Sequence, residues 1–361
     1  MDFEEFKKNF KSALEEKFKS EGIDNLEFRE EKTQKVNENY EALVVKPENG
    51  NVGPSFNMEK AFKDYNEGKS FGAVTRHASE VIKKSLSHLP NFDELSKIRD
   101  YDQVKSRLTM EVVSAKDNAD ILQNIPHKNI EDMALVYRID TSDLVGPGST
   151  VLITNGLMEN YGINVEQLHE DAMQSAPIIH PAEIKTLGQM LVEQLEKDGF
   201  DDARMLINTD DSTMFIATVE GTAHGASVIA YEGFMDKAAE RIGGDFFILP
   251  SSRHEVILIP DNGIVDMQSL EKMVREVNAT TVEPEDKLTD NVYHYDSKEK
   301  IFELGEKHIE RQASRAEKAK AKKEEKKSVL GELKAAKEES VKKPKKDKIQ
   351  KESRPKETAV L

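Results

Sequence analysis

Residues 246–260, FFILPSSRHEVILIP, place two apolar runs on either side of a short polar segment. FFIL and VILI are rich in β-branched and aromatic residues, which are typical of buried strands. The proline and the serines between them favour a turn. The stretch therefore predicts a strand, a connecting turn and a second strand.

Apolar spacing outside this stretch predicts helices that are intermixed with further strands. Near the start of the chain an apolar residue recurs every three or four positions, which forms one stripe along a helix. These residues are Phe3, Phe6, Phe10, Leu14 and Phe18. The run EIKTLGQMLVEQLEKDG predicts another helix, which ends at Gly199.

Short runs bounded by turn residues predict the strands. They are NLEFRE, YEALVV, LTMEVVSA, MALVYRID, STVLITN, ARMLIN, TMFIATV, ASVIAY, NVYHYDS and EKIFEL. Helices and strands do not follow a strict β-α-β alternation, so the pattern favours an α+β fold with an antiparallel-leaning sheet over a doubly wound one.

Charge is distributed unevenly along the chain. The protein has 52 lysines and arginines and 68 aspartates and glutamates, a net charge of −16. Residues 307–361 hold 19 basic and 10 acidic residues, a net charge of +9, which leaves −25 for residues 1–306. An acidic surface repels polyanions, so only the basic end of the chain has the charge to contact nucleic acid.

These shifts in composition predict the domain organisation. We expect an N-terminal α+β region over 1–105, a C-terminal α+β region over 106–300 and a basic tail over 301–361. One continuous domain over 1–300 is the alternative. The tail is rich in lysine, glutamate and alanine, which is typical of a solvated helix or a disordered segment.

Composition also excludes several classes of site. The chain has no cysteine, which excludes disulfides, thiolate metal sites and cysteine nucleophiles. No apolar run approaches the ~20 residues that span a bilayer, and the acidic start MDFEEFKKNF lacks the apolar core of a signal peptide. We therefore expect a cytoplasmic protein that does not contact a membrane.

The polar segment 251–255 raises the question of catalysis. A hydrolase would use Ser251 or Ser252 as nucleophile, His254 as base and Glu255 or a distant acid to orient the histidine. On an extended strand His254 and Glu255 point to opposite faces, and no Gly-x-Ser-x-Gly elbow is present. The sequence favours a structural turn and keeps catalysis as the alternative.

Metal and cofactor motifs are incomplete. HEVIL (254–258) and HEDAM (169–173) each lack the second histidine of a zinc helix, and VGPGST lacks the lysine of a phosphate loop. Asp210 and Asp211 have the composition of a hairpin turn. His127 and His224 fall in predicted loops, where a structural role is favoured over a binding one. We expect no cofactor and no metal.

Four blocks together resemble a family. They are LQNIPHKNIEDMALVYRID (122–140), TNGLMENYGINVEQLHEDAM (154–173), GASVIAYEGFMDKAAERIGGDFFILPSSRHEVILIP (225–260) and MVREVNATTVEPEDKLTDNVYHYD (273–296). The chain is similar, over about residues 1–300, to an uncharacterised bacterial family of the DUF5688 type. The resemblance implies a soluble protein of anaerobic gut bacteria, often encoded near mobile elements, and it implies no activity, cofactor or site residue.

Two hypotheses for function follow. The first is a non-catalytic accessory protein, associated with a mobile element, whose basic tail docks a protein partner or makes weak contact with nucleic acid. The second is a hydrolase-like enzyme that uses the Ser-Ser-Arg-His-Glu segment.

Overall fold

The α+β fold predicted above is present in the computed structural model, which describes residues 1–50, 52–89, 96–209, 213–221, 224–250 and 252–342. Helix α1 (Phe3–Ser20) begins where the Asp2 side chain accepts a hydrogen bond of 2.9 Å from the Glu5 backbone. That contact satisfies one of the free amides of the first turn. The predicted apolar stripe therefore forms a helix with a capped start.

The first layer of the fold packs this helix on a small antiparallel sheet. Phe6, Phe10, Leu14 and Phe18 are fully buried, and Phe3, the first residue of the predicted stripe, is partly buried against the same core. The other elements of the layer are β1 (Leu26–Lys35), β2 (Glu38–Pro47), β3 (Ser55–Asn57), α2 (Met58–Asn66) and α3 (Phe71–Leu86). β1 and β2 form a long hairpin whose ends, Lys35 and Glu38, face each other across a two-residue tip.

The second sheet contains the residue around which the candidate site is built. The strands of this sheet are arranged in the order β4-β6-β5, and β7 also pairs with β6. All of these strand pairs are antiparallel. Alternate residues of β4 point to opposite faces. Leu108, Met110 and Val112 enter the largest core cluster, which leaves Glu111 on the other face. These strands are β4 (Leu108–Ser114), β5 (His127–Ile130), β6 (Met133–Asp140) and β7 (Thr150–Leu152).

The third sheet contains the opening stretch. Its strand order is β13-β12-β10-β11-β9-β8, and β10 pairs with β11 from Phe246 opposite Pro260 to Leu249 opposite Ile257. The predicted strand–turn–strand unit is thus confirmed. The strands are β8 (Ala182–Thr186), β9 (Phe215–Val219), β10 (Phe246–Leu249), β11 (Val256–Pro260), β12 (Tyr293–Asp296) and β13 (Ile301–Leu304).

Helices cover or connect the second and third sheets. The α-helices are α4 (Tyr101–Val104), α5 (Ala119–Leu122), α6 (Asn155–Tyr161), α7 (Val165–Ile179), α8 (Leu187–Lys197), α9 (Ala203–Leu206), α10 (Phe234–Ile242) and α11 (Met267–Thr280). Two 3₁₀-helices, Lys105–Arg107 and Gly225–Ala230, complete the set of short connecting elements in the described residues. None of the described helices has the length and apolar character needed to cross a membrane.

Four local predictions were wrong. ARMLIN forms α9 and ASVIAY lies largely in the 3₁₀-helix Gly225–Ala230, because a run of four to six residues is too short for its apolar pattern to distinguish a helix from a strand. The predicted helix beginning at EIKT starts later, since residues 182–186 pair with β9 as strand β8. His127 is the first residue of β5 and does not lie in a loop.

Met1–Gly305 form one compact unit, and residues from Glu306 onward form a second. In the second unit the structure describes helix α12 (Gly305–Lys342). A division of the first 300 residues near residue 105 stays a prediction.

The packing of the first layer can be tested by substitution of a core residue. Replacing Phe10 by alanine should lower the free energy of unfolding by about 3–5 kcal/mol, because a fully buried ring leaves a cavity. Phe200→Ala is the matched control, since the Phe200 ring is 63% exposed and its loss should cost less than about 0.5 kcal/mol. Urea unfolding measures both; equal losses would contradict the packing.

Candidate functional site

The connection between β10 and β11 is fixed by backbone contacts on both sides. The Ser252 hydroxyl accepts a hydrogen bond of 3.1 Å from the His254 backbone, and Ser252 pairs with Lys287 in an isolated antiparallel bridge. The Arg253 backbone donates to the Asp286 carbonyl at 2.9 Å. The turn is thereby held against residues 286–287, and its side chains have defined positions.

The residues predicted for catalysis occupy different environments. Ser251 lies outside the described residues. The Ser252 hydroxyl stabilises the turn itself. His254 Nε2 lies 2.9 Å from Asp286 Oδ1, so the distant acid that orients this histidine is Asp286. Burial raises the pKa of Glu255, an effect that the nearby His254 partly opposes.

Glu111 is the most deeply buried ionised group near this turn. Its side chain has no exposure to solvent, although it lies at the centre of β4. Arg138 Nε lies 2.5 Å from Oε2, and Arg253 Nη1 lies 3.1 Å from Oε1. His224 Nδ1 also lies 3.0 Å from Oε1. One carboxylate thus contacts three basic side chains from three parts of the chain.

These cations explain how Glu111 stays ionised. Burial alone would raise its pKa, but the charge of Arg138, the contact with His224 and the charge of Arg253 outweigh burial and lower the pKa to about 2. Arg138 lies in β6, directly opposite Thr109. Thr109 is two residues from Glu111 in β4 and on the same side of the sheet, so the Arg138 side chain can reach Glu111. It also donates to Thr150 Oγ1 at 3.1 Å.

His224 adopts an unusual backbone conformation. Its φ angle of +59° lies in the left-handed region, which a histidine enters at a cost of roughly 1–3 kcal/mol. The centre of its ring lies 6.5 Å from the centre of the His254 ring, with 29° between the planes. Strain of this kind is often retained at functional sites.

Gly225 permits this approach. A Cβ atom there would lie 2.1 Å from the His254 carbonyl oxygen and 2.2 Å from Thr218 Oγ1. Thr218 Oγ1 donates to the same carbonyl at 2.8 Å, and the Ala226 backbone donates to the Arg253 carbonyl at 3.1 Å. Only glycine fits here, so His224 and His254 are held in neighbouring positions.

We call the resulting group the polar cluster. Its members lie in β4, in β6, before the 3₁₀-helix Gly225–Ala230, in the β10–β11 connection and in the loop after α11. They are Glu111, Arg138, His224, Arg253, His254 and Asp286. The two histidines are partly accessible, with 16% and 35% of the His224 and His254 side chains exposed. The cluster combines ionised carboxylates with titratable rings that solvent can reach.

A third histidine–carboxylate pair is formed by His180 and Asp140, which are not members of the polar cluster. His180 Nε2 lies 3.4 Å from Asp140 Oδ2. Burial lowers the pKa of His180; Asp140 opposes this effect, and the charge of His224 adds to it.

Two other histidines singled out by sequence, His127 and His169, make contacts outside the cluster. His127 Nδ1 lies 3.1 Å from the Ile125 carbonyl, and His169 Nδ1 lies 3.0 Å from the Tyr137 hydroxyl. Burial also lowers the pKa of His169. Asp210 and Asp211 lie outside the described residues.

Sequence reasoning missed Glu111, Arg138 and Asp286. A local signal existed for Glu111, since it is the single charged residue in the strand-like run LTMEVVS. In the structure every residue of this run is buried in β4. A charge inside a strand buried on both faces requires a partner. Nothing in the local pattern identifies that partner, because Arg138 and Arg253 follow 27 and 142 residues later.

Comparison with known proteins gives a family and no activity. The model of a family described as "Family of unknown function (DUF5688)" matches residues 3–297, a range that includes the whole polar cluster. No curated protein and no solved structure matches the chain.

The stability of the protein should depend on pH through Glu111. Its folded pKa of about 2 lies below the ordinary value of 4.5, so its contribution to stability is present above pH 4.5 and is lost as the pH falls toward 2. The difference between these two pKa values corresponds to about 3 kcal/mol of unfolding free energy. Urea unfolding between pH 7 and pH 2.5 should therefore show a steeper loss for the wild type than for Glu111→Gln.

Two comparisons make this test decisive. Glu111→Gln should itself cost about 3–5 kcal/mol at pH 7, because Arg138 and Arg253 lose their shared counter-charge. Glu31→Gln is the control, since Glu31 is an exposed strand glutamate whose loss should leave the pH dependence of the wild type unchanged. Parallel pH curves for the wild type and Glu111→Gln would refute the assignment.

Proposed function

The chain belongs to the DUF5688 family of unknown function, and we propose that its polar cluster is the catalytic centre of a hydrolase. One observation supports this proposal above the others. Two partly exposed imidazole rings lie 6.5 Å apart, and each has one ring nitrogen within 3.0 Å of a carboxylate. A general base and a general acid placed on either side of a reacting group have this arrangement.

His254 has the role of the base. With its Nε2–H donated to Asp286, the lone pair of the ring lies on Nδ1. Within the part of the chain that the structure describes, Nδ1 makes no hydrogen bond to another residue, and more than a third of the imidazole side chain is accessible. His254 can therefore accept a proton from a water molecule.

His224 has the role of the acid. Its Nδ1 faces Glu111, whose low pKa keeps it ionised throughout the neutral range. The nearby carboxylate stabilises the protonated ring, whose Nε2–H can then protonate a leaving group. His254 is thus oriented by its hydrogen bond to Asp286, and His224 lies in ion-pair contact with Glu111.

In the proposed reaction water is the nucleophile. Its oxygen attacks the carbonyl carbon or phosphorus of an ester while His254 Nδ1 takes its proton. The bond to the leaving oxygen breaks, and that oxygen receives the proton of His224 Nε2. The products are an acid and an alcohol, and a proton returns from the His254 imidazolium to His224 through solvent. Ser252 takes no part in this proposed reaction, and its hydroxyl oxygen accepts a hydrogen bond from the His254 backbone.

Assays with chromogenic substrates test the proposal. The wild type should hydrolyse p-nitrophenyl acetate or bis(p-nitrophenyl) phosphate, with a bell-shaped dependence of kcat/KM on pH. His254→Gln and His224→Gln should each lower kcat/KM about 10²- to 10⁴-fold, because each removes one proton-transfer group. His77→Gln, at an exposed position of α3, is the control and should retain the wild-type rate. Failure of the wild type on both substrates, or equal rates in all variants, would overturn the assignment.

A different function is supported by the last described helix. α12 contains many lysines and exposes Val329, Leu330 and Leu333, whose side chains are 50–63% accessible. Apolar side chains on an exposed basic helix are suited to docking in the groove of a partner. We propose on this basis that the tail over 301–361 binds a protein partner, with weak nucleic-acid contact through its charge. Cytoplasmic location and an accessory role near mobile elements stay predictions.

A pull-down tests the docking role. Full-length protein and a 1–305 truncation are each exposed to lysate with and without nuclease. A protein partner retained by the full chain after nuclease treatment and lost with the tail would support docking. Binding lost to nuclease would assign the contact to nucleic acid, and equal capture by both forms would exclude the tail as the binding segment.

A further inference from the structure

The tip of the first hairpin lies beside the polar cluster. Val36, at this tip, is 5% exposed and packs in a small core cluster with Val113 and Val136. Val136 is the direct sheet partner of Glu111. The hairpin β1–β2 therefore extends from the first layer of the fold to the sheet that contains the buried carboxylate.

Asn37, the next residue, contacts the segment that contains Asp286. Its Nδ2 donates hydrogen bonds of 2.9 Å to the Glu285 carbonyl and of 2.9 Å to the Lys287 carbonyl. These two carbonyls flank Asp286 in the chain. One side-chain amide thus holds the backbone on both sides of the residue that orients His254.

The Asn37 side chain is itself fixed. Its Oδ1 accepts a hydrogen bond of 2.6 Å from Asn118 Nδ2, and its backbone N–H donates to Asn118 Oδ1 at 2.7 Å. Asn118 also donates to the Ser114 carbonyl at the end of β4. The φ angle of Asn37 is +61°, a left-handed conformation that asparagine adopts more readily than most residues.

We propose that Asn37 is a positioning residue, which holds Asp286 in place to orient His254 and makes the first layer of the fold part of the active centre. The inference rests on the proposed function of the cluster. Asn37 touches no reacting atom. Its two bonds to the backbone fix the peptide groups around Asp286, and through that carboxylate they fix the tautomer and the direction of the His254 ring.

Three substitutions separate positioning from general stability. Asn37→Gly keeps a left-handed backbone without strain and removes the amide. Asn37→Asp keeps the oxygen that Asn118 contacts and replaces the amide donor by a carboxylate facing two carbonyls. Lys60→Ala is the matched control, since it removes an exposed ion pair of 3.1 Å to Glu285 in the same segment and leaves Asn37 intact.

The readout is the ring N–H proton of His254 in full-length, ¹⁵N-labelled protein, assigned by its loss in His254→Gln. Its hydrogen bond to Asp286 protects this proton from exchange with solvent, so the proton signal should be visible by NMR in the wild type and in Lys60→Ala. Asn37→Gly and Asn37→Asp should lose it while retaining cooperative thermal unfolding. In hydrolysis assays the same two variants should lower kcat about 10- to 100-fold with little change in KM.

Each outcome distinguishes the two proposals. Protection that depends on Asn37, in a wild type that hydrolyses neither substrate, would retain the positioning role and reject the hydrolase. A protected proton in both Asn37 variants, or no protected proton in the wild type, would overturn the positioning role. A loss of protection in Lys60→Ala equal to that in the Asn37 variants would also overturn it, because any loosening of the segment would then suffice.

Discussion

The candidate site depends on the burial of one negative charge. A carboxylate without solvent contact at the centre of a strand is costly unless it is paired and hydrogen-bonded. Glu111 meets that requirement with Arg138, Arg253 and His224, which lie in β6, in the β10–β11 connection and before a 3₁₀-helix. The chain must bring these three segments together for the second sheet to fold as it does. Compensation of this charge therefore determines where the cluster forms.

Charge compensation at Glu111 is also what distinguishes the polar cluster from an ordinary buried ion pair. Two arginines suffice to neutralise a carboxylate, yet the third neighbour is His224, a residue in a strained conformation. Arg253 contacts Asp286 as well, at 3.2 Å, so the charges of Glu111 and Asp286 are linked through one guanidinium. A network of this kind places two imidazole rings beside carboxylates at once, which stability alone does not require.

Prediction from sequence succeeded where the pattern is local. The stripe of α1 and the strands around residues 246–260 follow from the spacing of apolar residues, and both are present. The predicted strands ARMLIN and ASVIAY are helical in the structure, because an apolar pattern over four to six residues fits a strand and a helix equally well. For the site, the sequence predicted His254 as a base, with Glu255 or a distant acid to orient it. In the structure the carboxylate bonded to His254 is that of Asp286, 32 residues further on, and the pairing of Ser252 with Lys287 and the hydrogen bond from the Arg253 backbone to the Asp286 carbonyl place it there.

The location of the cluster explains why such contacts matter. His224, His254 and Asp286 lie on connections and not within strands, so no ladder of sheet hydrogen bonds fixes their side chains. Their geometry depends on individual bonds from side chains to the backbone: Thr218 to the His254 carbonyl, and Asn37 to the carbonyls flanking Asp286. Asn37 comes from a hairpin some 250 residues earlier in the chain. The first layer thus contributes rigidity to the polar cluster without contributing a reactive group, and this explains why a hairpin tip buries a valine beside Glu111.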